Sequence, residues 1–188
     1  MPSSDQTRHT GGTFVFTVRT AQRGSDLLLR EVDLLRHVTR QTRRRFPFTI
    51  DEIVVLGDVI HTIWTLPERD RDYSKRWRML KTLFSQSCPA PDQTGPMRLR
   101  AGENGIWQRR FWEHAILTAD DFEAHRQMIF NAPVQAGLVN RPVDWAHSSV
   151  HRAIARGTFG TNAPVDRVCV PPRRRAARAP LTEHASAM

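Results

Sequence analysis

Apolar positions along this chain alternate at a period of two, change to helical spacing, and change back again. Residues 13–19 (TFVFTVR) are rich in β-branched and aromatic side chains, which predicts a first strand. Gly24-Ser25 breaks it, with Ser25 placed to cap a helix. From there to about Arg45, the apolar residues Leu28, Val32, Leu35 and Val38 recur at helical spacing, with Arg30, Arg36, Arg40 and Arg43 on the other face. The run Arg44-Arg45-Phe46-Pro47 reads as the helix end, since cations suit a C-terminus and Pro47 marks the stop. Residues 48–56 and 59–66 predict two strands joined as a hairpin by the tight turn Gly57-Asp58. Tyr73, Trp77, Leu80 and Phe84 then follow one helical face.

Residues 88–105 hold Pro89, Pro91, Gly95, Pro96 and Gly102 and read as a loop. The aromatic-rich stretch 106–117 contains a fourth strand. Thr118, with Asp121 three residues on, makes a capping-box-like start to a third helix running to about Asn131, which Pro133 and Gly137 end. A short helix is expected near 148–156. The order βαββαβ plus a helix is the ferredoxin-like split βαβ arrangement, an α+β fold. It implies a four-stranded antiparallel sheet with helices on one face and an added C-terminal helix. Residues 1–10 read as a flexible N-terminus and 11–157 as a single domain. Residues 158–188 read as a disordered basic tail carrying Arg173, Arg174, Arg175 and Arg178.

Charge narrows the class of partner. Lys+Arg total 28 against 19 Asp+Glu, a formal charge of +9, which favours a polyanion: nucleic acid or an anionic membrane surface. Only Lys75 and Lys81 are lysines, and arginine grips a phosphate through two parallel hydrogen bonds. A compositional bias of the genome would give the same Arg:Lys ratio, so the net charge carries more weight. Cys88 and Cys169 match no metal or redox spacing, and no run of ~18 apolar residues could span a membrane. The start Met1-Pro2-Ser3-Ser4-Asp5 lacks a signal-peptide pattern. A cytoplasmic, nucleoid-associated protein without a membrane partner is expected.

Five segments in order carry a family likeness. They are 11–18 (GGTFVFTV), 56–67 (LGDVIHTIWTLP), 74–78 (SKRWR), 105–114 (GIWQRRFWEH) and 133–149 (PVQAGLVNRPVDWAHSS). Together the chain over roughly residues 10–152 resembles the REP-associated tyrosine transposases, relatives of the single-tyrosine HUH transposases. GIWQRRFWEH is the most specific of the five. The resemblance implies a His-hydrophobic-His pair on the third strand holding a divalent metal such as Mg or Mn, both rings on one face. That metal would polarise a scissile phosphate, and a tyrosine on the third helix would attack it to give a covalent phosphotyrosine. A polar residue one helical turn later, usually asparagine, would complete the metal shell.

Carried onto this sequence, the His pair falls on Val59-Ile60-His61, so His61 is retained and Val59 replaces the first histidine. The tyrosine falls on Met128, with Pro133-Val134 fixing the register, and the third ligand falls on Ala132. Asn131 is one residue off, ~100° around a helix. Valine and alanine offer no ligand atom, and a thioether is a poor ligand for hard metals and no nucleophile here. The expectation is therefore a transposase-like binder of single-stranded or hairpin (REP-type) DNA, impaired or inactive in cleavage and with no resident cofactor. The one tyrosine, Tyr73, lies in an apolar stripe and reads as packing. Ser148 or Ser149 as nucleophile has no supporting base or spacing. His61 alone reads as a hydrogen-bonded structural residue, with a residual His61/His114 metal site as the second reading.

For binding, Gly11, Gly12 and Thr13 resemble the family segment that contacts a short single-stranded guide beside the hairpin. Arg109 and Arg110 are interleaved with Trp107, Phe111 and Trp112, a pattern suited to single strands, where each stacked base contributes ~1–3 kcal/mol. The plainer reading makes Trp107 and Phe111 core and the arginines solvated. Arg76 and Arg78 flank Trp77, and Arg43, Arg44 and Arg45 with the tail arginines would add phosphate contacts. A monomer is expected. The alternatives are an active transposase with a relocated nucleophile, a decayed relic, and an RNA-binding ferredoxin-like domain. The last would need stacking aromatics on two central strands, which Trp64 alone does not supply.

Overall fold

Strand β1 (Thr13–Arg19) is apolar on both of its faces, and the architecture of the computed structural model follows from that. The structure describes residues 12–89 and 105–160. β1 pairs antiparallel with β3 (Val59–Thr65) on one side and β4 (Trp112–Ile116) on the other, and β2 (Thr49–Val55) pairs with β3. The order β2-β3-β1-β4 is the expected ferredoxin-like antiparallel sheet. A bulge between Ile50 and Glu52 shifts the β2 register.

On one face Phe16, Val18, Ile60 and Trp64 pack against α1 (Leu27–Arg30), α2 (Val32–Arg45) and α3 (Tyr73–Ser87). The indoles of Trp64 and Trp77 stack at 4.2 Å, and Phe48 closes on Trp64 at 4.1 Å. On the other face Val15, Val54, Val59 and Ile63 pack against α4 (Ala119–Gln135) and α5 (Val150–Ala155). Helices thus cover both faces, not one as expected. The reason is alternation itself: the residues between Phe14, Phe16 and Val18 include Val15, which also has to leave water.

The expected first helix is two helices, divided at Glu31, and the first is capped at Asp26 rather than Ser25, with no side-chain cap bond. Tertiary contact sets the break. Leu27 and Leu28 are buried, and the Leu28 N–H donates to the Gly57 carbonyl, so α1 is docked on the β2–β3 turn. Gly57 is required there, because a Cβ would run into the Ser25 carbonyl. The third helix also departs from expectation, since it passes through Pro133 to Gln135. Proline forfeits a single helical bond, and the turn is closed beyond it by Ala136 N–H to Ala132 O (2.9 Å) and by Gly137 at φ 70°. The segment ahead of β4 is not strand but runs beside β1, with a Thr20–Trp107 bridge and Gln108 N–H donating to Arg19 O. The exposed edge of β2 is covered by residues 147–149: Val55 N–H donates to His147 O and Ser149 N–H to Ile53 O. Gly11, the 90–104 part of the expected loop, and the basic tail from residue 161 lie outside the described residues.

Arg76 is a correction to the expected interface. Its side chain is 1% exposed, in the core beside Trp77. The guanidinium donates to Pro47 O (2.7 and 3.2 Å), Asp72 O (2.8 Å) and the Asp70 carboxylate (2.8 Å). A cation so enclosed must be compensated by fixed acceptors, and at 1% exposure it presents no face to a phosphate. The same bonds hold the Asp70 carboxyl well below the usual carboxylate range. Arg76→Ala strips Pro47 O and Asp70 of their donors and should cost ~3 kcal/mol in urea denaturation, whereas exposed Arg78→Ala should stay within ~0.5 kcal/mol. Because Asp70 is depressed in the folded state, the stability it supplies is present above ~pH 4 and is lost as pH falls below that.

Candidate functional site

Period-two alternation on β3 puts Val59, His61 and Ile63 on the face toward α4. Met128 and Ala132, four residues apart on α4, share one side of that helix. Val59, Met128 and Ala132 are all buried and belong to one apolar cluster with Val54 and Ile63. The positions that the resemblance singles out from separate parts of the chain are therefore brought together across the β3–α4 seam. Because α4 runs on past Asn131, Ala132 stays in line with Met128.

His61 stands beside this cluster, opposite Thr17 on β1 and Val54 on β2. Its Nδ1 lies 2.8 Å from the Thr17 hydroxyl. Burial, and secondarily the Arg19 cation, push its pKa down to about 4, with Asp58 opposing. The ring is thus a neutral, hydrogen-bonded imidazole near neutral pH. The donor set here does not fit a hard divalent ion: one imidazole faces two hydrocarbon side chains and a thioether. Asn131 does not substitute for Ala132. It is fully buried one position along the helix, and among the described residues neither of its amide atoms has a hydrogen-bond partner.

The other candidate nucleophiles lie elsewhere. Tyr73 is on the opposite face of the sheet, its ring 5.0 Å from Phe14 and 5.2 Å from Phe16, its hydroxyl donating to Glu113 at 3.4 Å. Burial, then Glu113, raise its pKa, which keeps the phenol neutral. Ser149 donates to the Glu52 carboxylate at 2.6 Å and accepts from Ile53 N–H at 2.8 Å, so it fastens the start of α5 to β2. Ser148 accepts from Val150 N–H. His114 faces α4 but meets Asp121 at 2.9 Å rather than His61. The residue that sequence reasoning missed is His125, which joins them. The available signal was its i, i+4 spacing from Asp121.

The basic residues divide by burial. Arg44, Arg45, Arg78, Arg109 and Arg110 are exposed. Arg43 is exposed but donates to Phe48 O, and Arg45 sits over the Phe46 ring. Thr13 bonds Thr65 across the β1–β3 pair, and Gly12 O accepts from Leu66 N–H, which orders the chain's approach to the sheet. Trp107 and Phe111 are half-buried against the first core, with Trp107 edge-on to Phe84 and Phe111 edge-on to Phe16. Both rings therefore have one side committed to the core. Lys81 reaches over both rings, and burial lowers its pKa to about 8. A cleft that the sequence reading did not foresee lies between α2 and residues 146–152, with Arg36, Arg40, His147 and Arg152 in its walls. Among the described residues, no helix is long and apolar enough to cross a membrane.

No protein-family model matches the chain. It is, however, 41% identical over 156 residues to a REP-associated tyrosine transposase of Escherichia coli (strain K12), covering 83% of this chain and 84% of that relative. A relative from Haemophilus influenzae is 37% identical over 145 residues, 77% of this chain and 82% of its own length. A solved structure of a REP-associated tyrosine transposase bound to a REP hairpin superposes with a TM-score of 0.77 at 36% identity, covering 95% of this chain and 100% of its own.

His61 gives a direct test of the dry seam. Its folded pKa lies below the unfolded ~6.5, so stability should fall as pH drops through ~6.5 and level off near 4. His61→Leu should flatten that slope in pH-dependent denaturation, and the His61 ring should show no protonation shift by NMR above about pH 5.

Proposed function

This chain belongs to the REP-associated tyrosine transposase family, and on that premise we propose that it binds single-stranded or hairpin DNA of the REP type without cutting it. One observation carries the loss of cutting. Val59, Met128 and Ala132 fill the β3–α4 seam with hydrocarbon and a thioether, where the resemblance expects a metal ligand, a nucleophile and a second ligand. Phosphoryl transfer by this route needs a charged metal and an attacking oxygen in one place. The seam supplies neither. Tyr73 does not rescue the reaction, because the whole sheet stands between it and Met128.

Binding makes smaller demands. It needs cations on the surface and a fold held in register, and both are kept. Arg44, Arg45, Arg78 and Arg110 remain exposed on an ordered scaffold, within a chain of net charge +9. They act as phosphate contacts, which position the nucleic acid without reading its sequence. The structurally similar relative bound to a REP hairpin supports the same class of partner for this chain. The protein acts as a monomer on DNA in the cytoplasm, with residues 11–157 as the binding domain and the arginines beyond it adding affinity.

Affinity for a fluorescent single-stranded hairpin should fall steeply with salt, by ~10³-fold between 50 and 200 mM if about six phosphates are contacted. Replacing Arg44, Arg45 and Arg78 together by Ala should weaken binding and flatten that slope. Salt-insensitive binding would overturn the reading. In a nicking assay with Mg or Mn, the natural chain should give no covalent protein–DNA adduct, and an adduct would sink the claim of inactivity. The triple variant Val59→His, Met128→Tyr, Ala132→Asn should form one.

A further inference from the structure

Beyond the Val59–Met128–Ala132 cluster, strand β4 and the first turns of α4 bring three donor side chains to one point. His114 stands opposite Val15 on β1, which places it on the α4 side of the sheet. Asp121 and His125 are one turn apart on α4 and so share a side of the helix. His114 Nε2 lies 2.9 Å from one Asp121 carboxylate oxygen, and His125 Nδ1 lies 3.0 Å from the other. One ligand atom from each of the three falls within 4.8 Å of the other two. The imidazole rings are 5.1 Å apart at 27°, and the Trp112 indole lies 6.1 Å from one and 6.0 Å from the other.

We propose that His114, Asp121 and His125 form a binding site for a divalent transition-metal ion of the zinc, cobalt or nickel class. Two imidazoles and one carboxylate suit such borderline ions, whereas magnesium and calcium prefer oxygen ligands throughout. Three protein donors leave a position for water, and the side-chain exposures of 43%, 25% and 19% give the ion a way in. Ligands at ~2.0–2.1 Å around a tetrahedral ion sit ~3.3 Å apart. With one Asp121 oxygen as ligand, its close contact to one imidazole opens by a few tenths of an ångström, and the other pairs adjust from within 4.8 Å. His125 Nδ1 is also 2.9 Å from the Asp121 carbonyl, a contact that coordination gives up.

The framework is already held. Thr118 accepts from Asp121 N–H at 3.1 Å to cap α4, and Leu117 N–H donates to the Asp121 carboxylate at 3.3 Å. The carboxylate is thereby oriented before any ion arrives, which is the usual task of an outer shell. Asp121, His125, Met128 and Ala132 follow one stripe of α4, so the ion would sit about a turn from Met128 and would clip the end of GIWQRRFWEH to the helix. This site uses none of the positions that the family likeness assigns to its metal, and it does not depend on the DNA-binding reading.

The experiment is titration of the chelator-stripped full chain with Co²⁺, read by visible absorption, with Zn²⁺ affinity taken from competition with a chromophoric chelator. One equivalent should give the ligand-field bands of a four- or five-coordinate site and raise the melting temperature. His114→Gln and His125→Gln, checked for fold by circular dichroism, should each weaken binding by more than the ~10–100-fold typical of a lost outer-shell partner. His37→Ala, an exposed histidine on α2, should change nothing. If His125→Gln unfolds, His114→Gln decides alone, since His114 is the most exposed of the three. Absence of the bands, or unchanged affinity in folded His114→Gln, would overturn the proposal, and unchanged affinity would assign the ion to other residues such as Cys169 or His184.

Discussion

The constraint on which this molecule rests is the two-sided burial of the β1–β3 pair. Phe16, Val18, Ile60 and Trp64 must be covered on one face, and Val15, Val59 and Ile63 on the other. An antiparallel sheet commonly leaves one face to water, but this one cannot. One layer is supplied by α2 and α3, the other by α4 with α5. The second layer lays Met128 and Ala132 against β3. The fold thus preserves the meeting of strand and helix whether or not reactive groups stand at the meeting point.

A fold held by burial and a reactive centre make different demands on the same residues. A metal centre is a matter of a few atoms: replace a histidine with valine and an asparagine with alanine, and no ligand remains at either position. Val59, Met128 and Ala132 pack here as any core would. His61 is left as a neutral ring bonded to Thr17, a stable arrangement that needs no ion. The exposed arginines Arg44, Arg45, Arg78 and Arg110 are dispersed over the surface instead.

Charge on this protein has to be read with burial. Arg76 and Arg78 are two residues apart, yet one closes a network over Pro47 and Asp70 inside the fold while the other meets solvent. The same holds for the aromatics of GIWQRRFWEH. Trp107 and Phe111 reinforce the α3 side of the sheet, whereas Trp112 turns to the α4 side beside His114 and His125. A motif that reads as one alternating patch in sequence is divided between two cores, because Trp107 and Phe111 precede β4 and pack on the α3 side, whereas Trp112 opens the strand on the α4 side.

By itself the sequence determined the strands, the hairpin at Gly57-Asp58, the α3 stripe of Tyr73, Trp77, Leu80 and Phe84, and the family likeness. These are local periodicities or fixed spacings, and each is legible without knowing what lies across the fold. Tertiary structure alone decided the break at Glu31, because docking of α1 on Gly57 overrides a continuous helical pattern. It decided the passage of α4 through Pro133, because only one helical bond is lost and burial of the helix compensates. It also decided the fate of Arg76, and it joined His114 to Asp121 and His125, residues whose separation along the chain carries no sign that β4 and α4 fold back against each other. Spacing reports which side chains share a face. Which faces then meet is settled only by the need to bury both sides of the sheet.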